Sequence, residues 1–430
     1  SLLKVKCEVD KYRDFQIKKY WNITDVAIRG QRNLFNGSRY EASEELERLL
    51  TESIRGQMVS DVPLGAFLSA GIDSSATVAL MQSIADQPVK TFTIGFEEEE
   101  YNEADAASEI ASYIGTDHTK LYVHKQDALD SIPLMSGIFG EPFADSSQIP
   151  TYLVSRLTKQ YVTVSLSGDG GDELFAGYRD YRGVYNIYNK INGIPASLRR
   201  IAGSLMECMP GDTSSGIRMR AHGTLLKATG PADLYRRTYE TQKEAEGLLG
   251  SAVYENRDQN MTGHTSIYDE DFDLFGDDII HTAMLMNTAM YLPDDILTKV
   301  DRAAMSVSLE TRIPMLDRDV VEFAWTLPLD YIFDGTKGKT ILRDVLNKHV
   351  DPSLTDRPKQ GFGVPVSKWL KETELREWAE HLLSKDLINK HKLVDYRAVS
   401  RLWNNYIEKD LWTPRIWYVL MLCGWLEANV

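Results

Sequence analysis

The stretch Val62–Ser75 (Val-Pro-Leu-Gly-Ala-Phe-Leu-Ser-Ala-Gly-Ile-Asp-Ser-Ser) constrains this chain more than any other. The apolar run Ala66-Phe67-Leu68 reads as a buried strand and stops abruptly at Ser69-Ala70-Gly71. Asp73, Ser74 and Ser75 come next, then a helix-like apolar stretch with Val78, Leu80, Met81 and Ile84. A strand, a tight turn of small residues and a helix N-terminus make a cradle for phosphate. Backbone N–H groups and the helix dipole point at the anion, and small side chains let it come close. This is not the Walker loop, because no Lys-Ser/Thr pair follows the turn.

The rest of the first half sets that loop in a sheet. A helix begins at Tyr40, with Leu46, Leu49, Leu50 and Ile54 on one stripe. Strand 65–69 leads to helix 74–86, and strand 89–96 to helix 103–115. Strand 118–124 leads to helices over 126–138 and 147–159, and strand 161–167 to a helix over 172–188. Apolar strands alternating with helices predict a doubly wound parallel α/β sheet with helices on both faces. Beyond residue 190 almost every segment is helix-like. Residues 1–22 hold two alternating stretches, Leu3–Glu8 and Phe15–Trp21, around a turn over Val9–Asp14, which reads as a β-hairpin. Residues 23–42 are polar and read as a linker, and the acidic run Glu97–Glu100 as a solvated loop. The expected division is 1–37 hairpin plus linker, 38–190 α/β core, and 191–430 helical part.

Composition narrows the function classes. A net charge of −15 argues against a protein that coats nucleic acid. No apolar run reaches membrane-spanning length, and no signal-peptide pattern opens the chain. Cys7, Cys208 and Cys423 are too scattered for a metal site or a disulfide framework, which points to a reducing cytoplasm.

A second strand end repeats the first device. Ser167-Gly168-Asp169-Gly170-Gly171-Asp172-Glu173 is a glycine-rich turn between an apolar strand and a helix that opens with acids. Its glycines permit positive φ and close backbone approach. Asp169 and Asp172 are hard oxygen ligands suited to magnesium that bridges phosphates, and an ion between Asp73, Asp172 and the β- and γ-phosphates would offset charge as pyrophosphate leaves. In open α/β sheets ligands bind beyond the carboxyl ends of strands, where both loops lie.

The first loop, Ser69–Ser75, resembles the pyrophosphate loop of ATP pyrophosphatases, with Ala70 where the pattern has its first glycine. Ser167–Tyr178 is similar to the second signature of the glutamine-dependent asparagine synthetase family. Glu141–Thr151, Leu292–Arg302 with Leu309–Asp317, and Arg357–Phe362 resemble three further segments of that family. The resemblance runs from about Tyr20 to the last helix. It implies a five-stranded sheet of the adenine-nucleotide alpha-hydrolase type with a large helical C-terminal part. It also implies an enzyme that uses ATP and Mg²⁺. Aspartate would be converted to β-aspartyl-AMP and pyrophosphate, and ammonia would then give asparagine and AMP. Sugar-acid amidation and β-lactam-type ring closure use the same adenylation, and a non-catalytic nucleotide-binding subunit is the reading from another class. The ring-closing enzymes carry Tyr where this chain has Asp169.

By this resemblance Ser69, Gly71, Asp73, Ser74 and Ser75 hold pyrophosphate, and Leu68, Ile94, Ser167 and Gly168 line the adenosine pocket. Asp169 takes the place of an acid tied to the adenylate, Asp172 binds Mg²⁺–pyrophosphate, and Lys359 meets phosphate. Lys339 is a second phosphate candidate or a surface lysine. Asp295, Lys299, Asp301 and Arg302 are candidates for recognising the amino acid. Glu310, Arg312 and Asp317 read as buried ion pairs that anchor helices, Met284, Met286 and Met290 as core, and His118 and His281 as structural. Tyr178 and Tyr181 are expected to pack the loop behind the second signature.

Two departures stand out. Ala70 costs roughly 1–2 kcal/mol if its position needs positive φ. The family's glutamine-dependent members begin with a cysteine nucleophile on a separate glutaminase domain, whereas this chain begins with Ser1. The expectation is a piece of a longer protein, with the hairpin as the remnant of that domain, or a protein fed by a separate ammonia source. A homodimer is the expected assembly.

Overall fold

A computed structural model describes residues 2–8, 11–96, 103–209, 214–239, 247–250, 253, 272–357, 363–371 and 373–430. The Glu97–Glu100 run and Lys359, with the rest of Pro358–Phe362, lie outside those residues.

At the N-terminus β1 (Leu2–Glu8) pairs antiparallel with β2 (Lys11–Lys18). The hairpin is tighter than the sequence reading has it, because Lys11–Asp14 belongs to the strand and not to the turn. In the backbone register Lys6 pairs with Asp14 and Glu8 with Lys11.

The expected linker over 23–42 is mostly helix, α1 (Ile23–Arg32), capped by Asn22. Its apolar stripe is short, but Val26, Ala27 and Gly30 are buried. A Cβ on Gly30 would lie 2.4 Å from the Trp325 carbonyl oxygen, so the helix sits directly on that backbone. The next helix, α2 (Arg39–Gln57), starts at a capping box in which Ser38 and Glu41 satisfy each other's backbone N–H groups.

Five strands then form one all-parallel sheet: β3 (Leu64–Phe67), β4 (Lys90–Phe96), β5 (Asp117–Val123), β6 (Val164–Leu166) and β7 (Glu310–Arg312). Their spatial order is β5-β4-β3-β6-β7. The helices α3 (Ile72–Ser83) and α4 (Ala104–Ile114) follow β3 and β4. From β3 the chain steps outward to β4 and β5, then returns to lay β6 on the other side of β3. The order therefore reverses between β3 and β6, which are paired Leu64 to Val164 and Ala66 to Leu166. A crevice opens at such a reversal, beyond the carboxyl ends of the two strands.

The sheet separates two apolar cores. Ala66 and Leu68 enter the core built with α2 and α3, while Phe67 between them packs on the other, which holds Ile94 and the C-terminal helix Pro414–Asn429. Burial on both faces is why the central strands β3 and β6 read as apolar runs. Met284 and Met286 are buried core residues, and Met290 is half-buried against the same core.

The fifth strand corrects one reading. Glu310 is not a buried anchor: it lies with Arg312 on edge strand β7, and their ion pair (2.7 Å) leaves its side chain 55% exposed, whereas Arg312 is mostly buried and donates to the Gln57 carbonyl at the end of α2 (2.6 Å). Charge on an edge strand discourages further pairing. Asp317 instead caps the helix Arg318–Ala324. The part beyond residue 190 is otherwise helical among the described residues, and no helix there or elsewhere among them is long and apolar enough to cross a membrane.

One further element shapes the site. The helix Ile279–Met286 runs into a π-helical segment, Asn287–Leu297, and back into α-helix over Thr298–Met305. Pro293 lies inside the π-helical segment, where its missing N–H helps break the i→i−4 ladder. π-Helical turns are rare and concentrate at functional sites.

Candidate active site

The two loops expected to hold phosphate meet at the crevice between β3 and β6. In the first, the Ser69 and Ser74 hydroxyls lie 2.9 Å apart and close the turn on itself. Ser74 Oγ accepts from the Ser69 N–H (3.1 Å), and Ser69 Oγ accepts from the Gly71 N–H (3.1 Å). Gly71 gives α3 no side-chain cap, so the dipole end of that helix faces the crevice uncovered. Ser75 Oγ is fully buried and has no hydrogen-bond partner among the described residues. Ala70 does not have positive φ, so alanine carries no left-handed strain there.

In the second loop Gly170 has φ 94°, a conformation that glycine adopts without cost. Ser167 Oγ donates to Asp169 Oδ2 (2.5 Å). The loops touch through glycine. A Cβ on Gly168 would lie 2.6 Å from the Ser74 nitrogen, and one on Gly171 would lie 2.3 Å from Asp73 Oδ1.

The helix expected over 172–188 is broken into Gly171–Leu174 and Arg179–Ile191. Between them Ala176 adopts φ 54°. The break makes room for Lys339, itself at φ 58°, whose N–H donates to the Phe175 carbonyl (2.6 Å). Two left-handed L-residues cost roughly 1–2 kcal/mol each, the kind of strain that concentrates at working sites.

What this strain positions is an ammonium group between two carboxylates. Lys339 Nζ donates to Asp73 Oδ2 and pairs with Asp172 Oδ1 at 2.7 Å. The lysine is buried, not a surface residue, with 8% of its side chain exposed. Burial works against its charge, but Asp73 and Asp172 outweigh it and hold the pKa above the ordinary lysine value. Its side chain runs past Gly177, where a Cβ would fall 2.0 Å from Lys339 Cε.

A second cationic point lies on the α-helical turn that follows the π-helical segment. Lys299 Nζ bonds Asp145 Oδ2 at 2.6 Å, and the same carboxylate accepts from the Ser147 N–H (2.9 Å) and hydroxyl (2.6 Å). Burial would raise Asp145, but Lys299 and Ser147 hold it below the usual range. Burial and the Asp145 charge push Asp295 up to about 6, while Tyr291 hydrogen-bonds to it from the same segment. Glu173 is 1% exposed, and burial lifts it to about 7 although the Tyr178 hydroxyl donates to it.

Asp169 ties the two halves together. Burial raises its pKa, the Ser167 hydroxyl opposes that, and it feels both Lys299 and Lys339. Asp73, Asp145, Asp169, Asp172, Glu173 and Asp295 thus share one electrostatic neighbourhood with only two lysines among the described residues. Among those residues no three Asp, Glu, His or Cys side chains form a metal-binding group. Asp73 and Asp172 do aim carboxylate oxygens at a single cation, the donor set a magnesium ion takes alongside phosphate oxygens.

The structure therefore brings together Ser69, Gly71, Asp73, Ser74, Ser75, Ser167, Gly168, Asp169, Asp172 and Lys339, with Lys299 and Asp295 close by. Leu68 and Ile94 are buried near the carboxyl ends of β3 and β4. Asp301 and Arg302 are not brought in: both are about 60% exposed and pair loosely at 3.9 Å. Tyr181 is buried and its hydroxyl accepts from Asn287 (2.8 Å), whereas Tyr178 reaches Glu173 and is part of the site. His118 Nδ1 lies 2.9 Å from the Thr91 hydroxyl, and His281 Nδ1 lies 2.6 Å from Asp278, both away from these loops. Asp145, Glu173 and Tyr291 are site residues that the sequence reading did not single out, although the first two stand inside quoted signatures.

The asparagine synthase family model matches residues 45–427. The chain is 30% identical over 389 residues to glutamine-hydrolyzing asparagine synthetase 1 of Bacillus subtilis (strain 168), covering 90% of this chain and 59% of that protein. It is 24% identical to asparagine synthetase 3 of the same organism, over 90% of this chain and 57% of that one. Asparagine synthetase B of Escherichia coli (strain K12) is 32% identical over a shorter stretch, 31% of this chain and 27% of that protein. The chain spans 57–59% of the two Bacillus proteins it matches along most of its length. With the two strand-end signatures meeting at one crevice and the family model matching residues 45–427, the chain belongs to the asparagine synthase family.

Proposed function

We propose that this chain carries out ATP-dependent amide formation on the side-chain carboxylate of aspartate. A β-carboxylate oxygen attacks the α-phosphorus of ATP. The bond from that phosphorus to the bridging oxygen breaks, and pyrophosphate leaves. Ammonia then attacks the acyl carbon of β-aspartyl-AMP, the carbon–oxygen bond to AMP breaks, and the nitrogen sheds a proton. Adenylation is needed because ammonia cannot displace oxide from a carboxylate. The observation that carries the reading is the pair of strand-end loops, locked together at Gly168 and Gly171, that hold Asp73 and Asp172 around Lys339 in the crevice.

In this reading the Ser69–Ser75 turn and the uncovered end of α3 hold the β- and γ-phosphates, which become pyrophosphate. Asp73 and Asp172 would hold magnesium, which supplies charge neutralisation on the leaving pyrophosphate when bound. Leu68 and Ile94, at the ends of neighbouring strands, line the adenosine pocket through backbone as well as apolar contact, with the Ser167–Gly168 backbone. Lys299 and Asp295 receive the charged ends of the amino acid, and Asp169, between them and Lys339, faces the forming acyl phosphate. Lys359 adds a point charge on phosphate. Ammonia comes from a glutaminase domain or from a separate source.

The test is pyrophosphate release with ATP, ammonium and a panel of carboxylic acids. Aspartate should give the signal, and Asp172→Ala should abolish it. Release with another acid but not with aspartate would overturn the substrate, and full activity in Asp172→Ala would overturn the role of that carboxylate.

A further inference from the structure

Lys339 stands where a metal ion would have to stand. Its ammonium is within hydrogen-bond reach of Asp73 Oδ2 and Asp172 Oδ1 together. A magnesium ion shared by those carboxylates needs oxygens at about 2.0–2.1 Å, so ion and ammonium cannot occupy the point at once. The lysine is also held there. Its own N–H is tied to the Phe175 carbonyl, and Gly338 packs so tightly that a Cβ there would lie 1.7 Å from the Ala176 carbonyl oxygen. The Gly177 position leaves just enough room for the lysine methylenes.

We infer that Lys339 is a resident counter-cation that keeps the Asp73–Asp172 pair closed to divalent metal until a nucleotide's phosphates arrive. The inference rests on the phosphate-site reading above. Without nucleotide, an incoming metal ion would have to expel a buried ammonium from both carboxylates it bonds. A triphosphate offers it an anion in their place. The displaced ammonium swings onto phosphate oxygens while the metal takes the carboxylates. Metal and nucleotide binding are then coupled through one side chain, and the coupling is reciprocal.

The test uses Mn²⁺ as the probe, with free Mn²⁺ counted by electron paramagnetic resonance. Titrations are run with and without α,β-methylene-ATP. In the wild-type chain the nucleotide should raise affinity at one site by about tenfold or more. Asp172→Asn should remove that site. Lys339→Met should bind Mn²⁺ at the Asp172-dependent site without nucleotide, and Mn²⁺ alone should then raise its thermal midpoint but not that of the wild type. If Lys339→Met does not fold, Lys339→Gln, which keeps an N–H donor between the carboxylates, takes its place. Wild-type chain that binds Mn²⁺ at the Asp172-dependent site equally well without nucleotide would overturn the inference. So would a lysine variant that gains no such site. If α,β-methylene-ATP itself does not bind, the ATP reading fails, while the lysine variants still decide the question of the counter-cation.

Discussion

Glu173 offers the most quantitative check on the site. Its side chain is almost wholly buried beside Asp172, near Asp169, with the Tyr178 hydroxyl on one oxygen. Burial moves its pKa from 4.5 to about 7. The folded state therefore prefers the neutral acid. Below the unfolded value both states are protonated and there is no penalty. As the pH rises toward 7 the unfolded chain gives up the proton first, so stability falls; above 7 the loss is complete. At ~1.4 kcal/mol per pH unit the full loss is about 3 kcal/mol. Glu173→Gln keeps an oxygen for Tyr178 but cannot ionise. Any cost of burying its amide nitrogen is the same at every pH and drops out of the comparison. Urea unfolding of both proteins at pH 5 and pH 8, without nucleotide or metal, should show the variant gaining on the wild type by about 2–3 kcal/mol toward pH 8. A gap that does not change between the two pH values would refute the reasoning, because Glu173 would then be ionising in the fold as easily as in the unfolded chain.

Three further outcomes follow from the same geometry. Gly177→Ala would drive a methyl group into Lys339 Cε and Asp172 Oδ1, so urea unfolding should show a loss of ~1–3 kcal/mol and pyrophosphate release should fall with it. Ala70→Gly should not stabilise the chain even though it restores the family's glycine; with no positive φ to relieve, it adds unfolded-state freedom and should cost roughly 0.5–1 kcal/mol in the same measurement. Lys299→Met leaves Asp145 beside Asp295 without its cation, which should cost about 3 kcal/mol at pH 8, and much less at pH 5 where a carboxyl of the pair can take up a proton.

The two central strands β3 and β6 were legible because they are apolar and largely buried, and each ends in a turn of small residues. The first four strands fall within about three residues of their expected ends. The strand over 310–312 was not legible, because Glu-Thr-Arg has no apolar signal and its place is set by pairing with β6. α1 escaped notice because its buried stripe is only a few residues, and what holds it is a glycine against the Trp325 backbone. The phosphate loops were readable as local patterns. Lys339 and Lys299 stood among the candidates, but their carboxylate partners were not readable, since Lys339 lies 266 positions from Asp73, and Lys299 lies 154 from Asp145. Nor does any sequence period announce the π-helical segment, whose Pro293 looks like a helix end.

An acidic crevice is ill-suited to ATP only if the acids are taken as bare charges. Each is offset in a different way. Asp73 and Asp172 share the Lys339 ammonium, and Asp145 has Lys299. Glu173 and Asp295 are pushed toward neutrality by burial and by their neighbours, to about 7 and about 6. That leaves Asp169, which feels both lysines, at the boundary between the two halves. On the proposed reading the carboxylate substrate must approach the α-phosphate at this boundary, anion against anion. Coulomb repulsion between them is strong in a site shielded from water. A lysine on either side, each carrying a partner it can exchange for a substrate anion, lets both substrates enter without adding bare charge to the crevice. The acids are then the groups that keep the two lysines charged, buried and in place until those anions arrive.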